Sequence, residues 1–187
     1  MIKTRRELKE WLKYEKNKYF GNKNILLMYI TNASEKIIIW KFQKKLRKYE
    51  YHLNCLHKFR ALFLKFKLNK LRNKYGLAIP ANTMGKGLKI MHLGSISIND
   101  NVRVGENCSI HINTALAARG NSDECPIIGN NAIIGIGAII IGNVVLGDNI
   151  VIGAGAVVNK SFPENSVTIA GVPAKIISNN GSETWKR

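Results

Sequence analysis

Four histidines and three cysteines carry most of the reactive chemistry this chain can offer. His52 and His57 lie in a strongly basic stretch and are assigned no chemistry, whereas His92 and His111 stand 19 residues apart in an aliphatic, glycine-spaced region. Imidazole titrates near neutral pH, so a positioned histidine can take the proton of an alcohol as its oxygen attacks an electrophile. A zinc site of three histidines and a water cannot be assembled from two, and no metal is expected. Cys55, Cys108 and Cys125 cannot all pair within one chain, and none has CxxC spacing, which fits a reducing, cytoplasmic compartment. A nucleophilic Cys125 would need an activating base and a lowered pKa, and no sequence neighbour supplies either.

The elements that must hold these groups follow a period of six. Aliphatic residues fall at Ile98, Val104, Ile110 and Leu116, then at Ile128, Ile134, Ile140, Leu146, Ile152 and Val158, with a gap of two periods between the runs. Glycine follows at Gly105, Gly129, Gly135, Gly147 and Gly153, and the fourth position after most of the aliphatic residues is small or β-branched, as at Val102, Cys108, Thr114, Ala132 and Ala138. A helix would smear this pattern around its circumference, and a simple strand alternates every two residues. The spacing matches the hexapeptide signature of a mainly β fold, the single-stranded left-handed parallel β-helix. Each hexad is one side of a triangular coil, residues 18 apart stack about 4.8 Å apart, and glycines are expected to relieve the corners. On such a coil His111 falls one turn after His92 and one position displaced. Residues 117–127, AARGNSDECPI, break the pattern but keep its phase, which predicts a loop expelled from one corner.

Of the 187 residues 45% are apolar, so a real core is feasible and disorder along the whole chain is excluded. Charge divides the chain unevenly: residues 1–80 hold 21 Lys/Arg against 5 Asp/Glu, and residues 81–187 hold 8 against 7. The organisation is read as a small basic α-helical region over 1–79, the β-helix over 80–178 and a polar tail over 179–187. In the first region Thr4 caps a helix carrying Leu8, Trp11 and Leu12, and Ser34 caps one carrying Ile38, Phe42, Leu46 and Tyr49. A third runs through Phe59, Leu62, Phe63 and Phe66 and ends at Gly76. Two readings of the basic faces stand: a small helical cap whose apolar stripes pack together or against other copies of the chain, with solvated lysines, or a surface docking peripherally on anionic membrane or acidic glycan. No nucleic-acid motif accompanies the charge, and no nucleic-acid partner is expected. The basic N-terminus has no following apolar run, and no stretch reaches the roughly 18–20 apolar residues of a membrane span, so neither a secretion signal nor a span is expected.

The segment from Ile79 to Ile177 resembles the serine acetyltransferase branch of the hexapeptide acyltransferases, including O-acetyltransferases of capsule and exopolysaccharide loci. The carrying residues are IPANTMGKGLKIMH (79–92), the hexads, and the ending AGVPAKII (170–177). The resemblance implies a homotrimer with active sites between neighbouring prisms, acetyl-CoA as co-substrate and direct transfer without an acyl-enzyme. It places His92 as general base, with His111 aiding the acceptor or the thioester carbonyl. Coenzyme A is expected along Ala118, Ile136 and Ala154, with Arg119, Lys160 and Lys175 meeting its phosphates. Acceptor contacts fall at Met91, Asp100, Asp123 and Cys125. Departures matter here: Met91 and Leu77 stand where the serine enzymes have aspartates, and their loop Asp-Arg-His-Pro becomes Asp123-Glu124-Cys125-Pro126. With partners for a carboxylate gone, the acceptor is expected to be a sugar or saccharide hydroxyl in surface polysaccharide assembly, with serine O-acetylation for cysteine synthesis as the alternative. Asp100 or Glu106 is expected to replace the carboxylate that orients the imidazole.

Overall fold

In the computed structural model, which describes residues 1–121 and 123–185, a helical cap packs against a triangular β-prism. Ser122 of the expelled loop and Lys186 and Arg187 of the tail lie outside the described residues. The prism has three parallel faces. The first stacks Leu77–Ala78, Ile96–Ile98, Thr114–Ala117, Ile139–Ile141 and Val157–Val158, and the second stacks Arg103–Val104, Ile127–Ile128 and Val145–Leu146. The third stacks Lys89–Ile90, Ser109–Ile110, Ile133–Ile134, Val151–Ile152 and Thr168–Gly171, closed by the antiparallel strand Ala174–Ser178. All ten aliphatic residues of the hexad register are buried inside this left-handed coil, each contributing about 1.5–3 kcal/mol relative to exposure.

Register shows how the coil absorbs irregularity. Ile134 pairs with Ile152 and Ile140 with Val158, a spacing of 18. Across the loop Leu116 pairs with Ile140 and Val104 with Ile128, a spacing of 24, one coil plus one hexad. The loop is thus expelled between the first and second faces without slipping the core. At the start Ile90 pairs with Ile110, a spacing of 20, so the first coil is two residues longer than a regular one.

The hexad glycines serve a purpose other than the one expected. Positive φ at the corners is taken largely by Asn107, Asn131 and Asn149 as well as by glycines outside the hexad register, such as Gly137 and Gly155. Asparagine tolerates this region better than most residues. Gly129 instead permits close stacking, because a Cβ there would meet the Gly147 carbonyl at 2.7 Å.

Helix α1 (Arg5–Phe20) is capped by Thr4, as the sequence predicts, and Glu7 completes a capping box with it. The short α2 (Leu26–Thr31) was not foreseen, α3 (Glu35–Asn54) begins after Ser34, and α4 (Lys58–Tyr75) ends at the left-handed Gly76. Arg47 of α3 is fully buried and bonds Glu15 of α1 at 2.8 Å, Glu50 at 2.9 Å, and the Met84 and Gly85 carbonyls at 2.9 and 2.7 Å. Burial alone would lower its pKa, but Glu50 and Glu15 outweigh it and hold the guanidinium above its ordinary value. Gln43 of α3 adds a bond to the Leu88 carbonyl at 2.9 Å. These contacts set α3 along the first coil of the prism.

The stripe Phe59, Leu62, Phe63 and Phe66 does not pack inward: these residues are 91, 68, 57 and 60% exposed, while Ala61 and Leu68 on the opposite face are buried. Helix α4 is apolar on two faces, and the face that includes the small Ala61 is the one that packs inward.

Candidate active site

His92 follows the strand Lys89–Ile90 at the corner between the third and first faces. Because the first coil has two extra residues, His111 lies level with Met91, whose N–H donates to the Ile110 carbonyl at 3.0 Å. The two imidazoles are then neighbours, with ring centroids 6.3 Å apart. Burial, followed by the nearby His92, lowers the pKa of His111, so this ring stays neutral near pH 7. The His92 side chain is 56% exposed, accessible to an incoming substrate.

The orienting carboxylate comes from neither Asp100 nor Glu106 but from Glu35, the first residue of α3. Its Oε1 lies 2.9 Å from His92 Nδ1, and its Oε2 accepts the Leu93 N–H at 3.3 Å. The imidazole beside it holds the Glu35 carboxyl below the usual carboxylate range. A carboxylate only accepts, so Nδ1 must donate and Nε2 is left as the basic nitrogen. Asp100 sits at the opposite edge, between the first and second faces, where its carbonyl accepts from Arg103. The Glu106 N–H is held by Asn130 at the remaining corner. One signal for Glu35 existed in the sequence, since it is the sole acidic residue between Glu15 and Glu50. An acid in the first turn of a helix also has an ordinary reading as a partner of the helix dipole.

The other expected site residues divide between two edges of the prism. Ile136 and Ala154 lie exposed along the same edge as His92 and His111. Lys175 is exposed on the closing antiparallel strand, paired with Ala170. Ala118, Arg119 and Lys160 lie at the loop edge, with Ala118 half-buried against the core. Asp123 belongs to that edge too, its carbonyl accepting from Asn101 at 3.2 Å. Cys125 is buried in the core, and burial, then Asp123, raises its thiol pKa, which disfavours the thiolate. Met91 and His111 line a cleft of about 500 Å³ together with Tyr14, Lys18 and Lys89. A single chain therefore presents an acid–histidine pair and a basic cleft on one flank, and the expelled loop on another.

The sequence profile described as bacterial transferase hexapeptide (six repeats) matches residues 125–160. The chain is 39% identical over 101 residues to a serine acetyltransferase of Buchnera aphidicola subsp. Schizaphis graminum, covering 52% of this chain and 38% of that protein. Against serine acetyltransferase 1 of Arabidopsis thaliana it is 39% identical over 112 residues, covering 58% and 35%. In three dimensions it superposes on a serine acetyltransferase from Brucella abortus strain S19 solved with coenzyme A. That match has a TM-score of 0.73 and 26% identity, and covers 95% of this chain and 70% of that one. The chain thus spans little more than a third of the length of the first relatives it matches by sequence. The fold and the resemblance to the serine acetyltransferase branch stand together.

These similarities overturn the expectation of a saccharide acceptor, because the matched relatives are serine acetyltransferases. The expectation had weighed only the charged groups lost from the prism. Helix α3 brings one back, Glu35 at His92, while the Lys18 ammonium of α1 is held at the other end of the cleft by the Gly87 carbonyl at 2.7 Å and Asn107 Oδ1 at 3.3 Å.

Proposed function

We propose that this chain is an acetyl-CoA-dependent O-acetyltransferase whose acceptor is L-serine. The observation that carries the reading is the Glu35–His92 pair at 2.9 Å with the imidazole half exposed. Glu35 holds the proton on Nδ1, and Nε2 takes the serine hydroxyl proton as the oxygen attacks the thioester carbon. The tetrahedral oxyanion collapses, the C–S bond breaks, and the imidazolium returns the proton to the leaving sulfur. Products are the serine ester and the free thiol of coenzyme A. A neutral His111 suits hydrogen bonding to the carbonyl or the acceptor. The carboxylate of Glu35 and the ammonium of Lys89, which lines the cleft with His111, supply opposite charges for the two ends of a zwitterion.

Three copies are proposed to form the working unit. In a single chain the loop residues Arg119 and Asp123 and the histidine corner belong to different edges, and a neighbouring prism would bring one copy's loop to another copy's His92. Coenzyme A would then lie between them, along Ile136, Ala154 and Lys175 of one copy and Ala118, Arg119 and Lys160 of the next.

The test is release of coenzyme A thiol from acetyl-CoA with L-serine as sole acceptor. Serine-dependent release is expected, reduced about 10²–10⁴-fold in His92→Ala with acetyl-CoA binding retained. Turnover by His92→Ala at the wild-type rate, or no serine-dependent release despite acetyl-CoA binding, would refute it.

A further inference from the structure

We infer that the outward face of α4 is a docking surface for an anionic phospholipid bilayer, on which the protein sits peripherally. The ridge formed by Phe59, Leu62, Phe63 and Phe66 follows helical spacing and is at least 57% exposed at every position. Isolated exposed apolar residues need no explanation, but four large ones in a continuous ridge mark an interaction site. Nothing else in the described chain covers it.

Cations flank the ridge on both sides. On a helical wheel Lys58, Lys65 and Arg72 fall on one side, and Arg60, Lys67 and Lys74 on the other. The Lys67 ammonium stands 4.2 Å from the Phe63 ring centroid and that of Lys70 4.8 Å from Phe66, so apolar ring and cation are presented together. Such stems can lie along the acyl boundary while their heads reach phosphate. Between α3 and α4, Lys48, His52 and Arg60 line a shallow cleft of about 460 Å³ beside Phe59 and Phe63, placed for a headgroup phosphate. No acidic residue occurs from position 51 to 99, so nothing in this surface repels an anion.

Charge chooses the occupant. A second copy would bring together two regions that each hold 21 Lys/Arg against 5 Asp/Glu, at a repulsive cost that an anionic surface turns into attraction. The shape agrees, since a convex aromatic ridge suits a yielding bilayer and a protein partner would need a matching groove. Among the described residues no helix is long and apolar enough to cross a membrane, so the contact is one of surface insertion.

The experiment is flotation of the full chain with vesicles of phosphatidylcholine alone or with phosphatidylglycerol added. Binding to the anionic vesicles alone is expected, weakening as salt is raised. Phe59→Ser/Phe63→Ser/Phe66→Ser should reduce partitioning at least about tenfold, with helical circular dichroism and thiol release unchanged because these rings are exposed. Lys58→Glu/Lys65→Glu/Arg72→Glu should reduce it as well. No flotation on anionic vesicles, or equal flotation of the Phe variant and wild type, overturns the inference. So does a smaller assembly for the Phe variant by light scattering when the wild type binds no vesicles, which would assign the ridge to a second copy.

Discussion

Replacing Arg47 by Met tests how the helical cap is bound to the prism. The guanidinium is fully buried and bridges Glu15 and Glu50, whose side chains are 0 and 2% exposed. Each contact is worth on the order of 4 kcal/mol of attraction at an effective dielectric of 20, and desolvation of the three charges offsets much of the sum. The variant loses the attraction and keeps two buried carboxylates facing one another. The expected loss is about 3–5 kcal/mol in urea unfolding followed by helical circular dichroism at fixed protein concentration. Glu15 also accepts the Gly87 N–H and Glu50 the Asn82 N–H, both at 3.0 Å, and a glutamine oxygen can keep both bonds. Arg47→Met/Glu15→Gln/Glu50→Gln should therefore recover to within about 2 kcal/mol of wild type. The single variant should also lose turnover, since α3 carries Glu35 to His92. A single variant within about 1 kcal/mol of wild type, or a triple variant less stable than the single, would refute the account of the network.

Glu35→Gln should lower kcat at least about tenfold while leaving acetyl-CoA binding unchanged, measured by thiol release and calorimetry. The folded Glu35 carboxyl has a lowered pKa, so its tie to His92 stabilises above the unfolded value of about 4.3 and is lost as pH falls through the folded one; the wild-type advantage in melting temperature over Glu35→Gln should shrink across that window. Cys108 is buried with its thiol pushed up to about 12 and Cys125 is buried as well, so a thiol reagent should label Cys55 alone in the native protein and all three after unfolding. Cys125→Ser should keep its transfer activity, and capture of an acetyl-cysteine would contradict the direct mechanism. Gly129→Ala would press a Cβ to 2.7 Å from the Gly147 carbonyl and should cost about 1–3 kcal/mol in unfolding.

The β-prism was legible because its information is local and periodic. Six-residue spacing places Ile128, Ile134 and Ile140 on successive sides of one coil, and a loop that preserves that phase can be recognised without knowing its path. Thr4 and Gly76 marked helix ends for the same reason, since caps act within a turn of themselves. His92 was singled out through resemblance over the prism. Its partner Glu35 was not, because the two stand 57 positions apart and meet only when α3 lies along the first coil. That placement rests on Arg47 clasping Glu15 and two prism carbonyls, contacts between segments 32 and 37 or more residues apart. The outward turn of Phe59, Phe63 and Phe66 was hidden in a related way: α4 has apolar residues on two opposite faces, and no local rule says which meets a core. Periodicity alone determined the prism and the register of its regular coils, while the longer first coil that sets His111 level with Met91, the acid–histidine pair and the exposed aromatic ridge were decided by the tertiary structure, the last two by how the helical cap folds back on the prism.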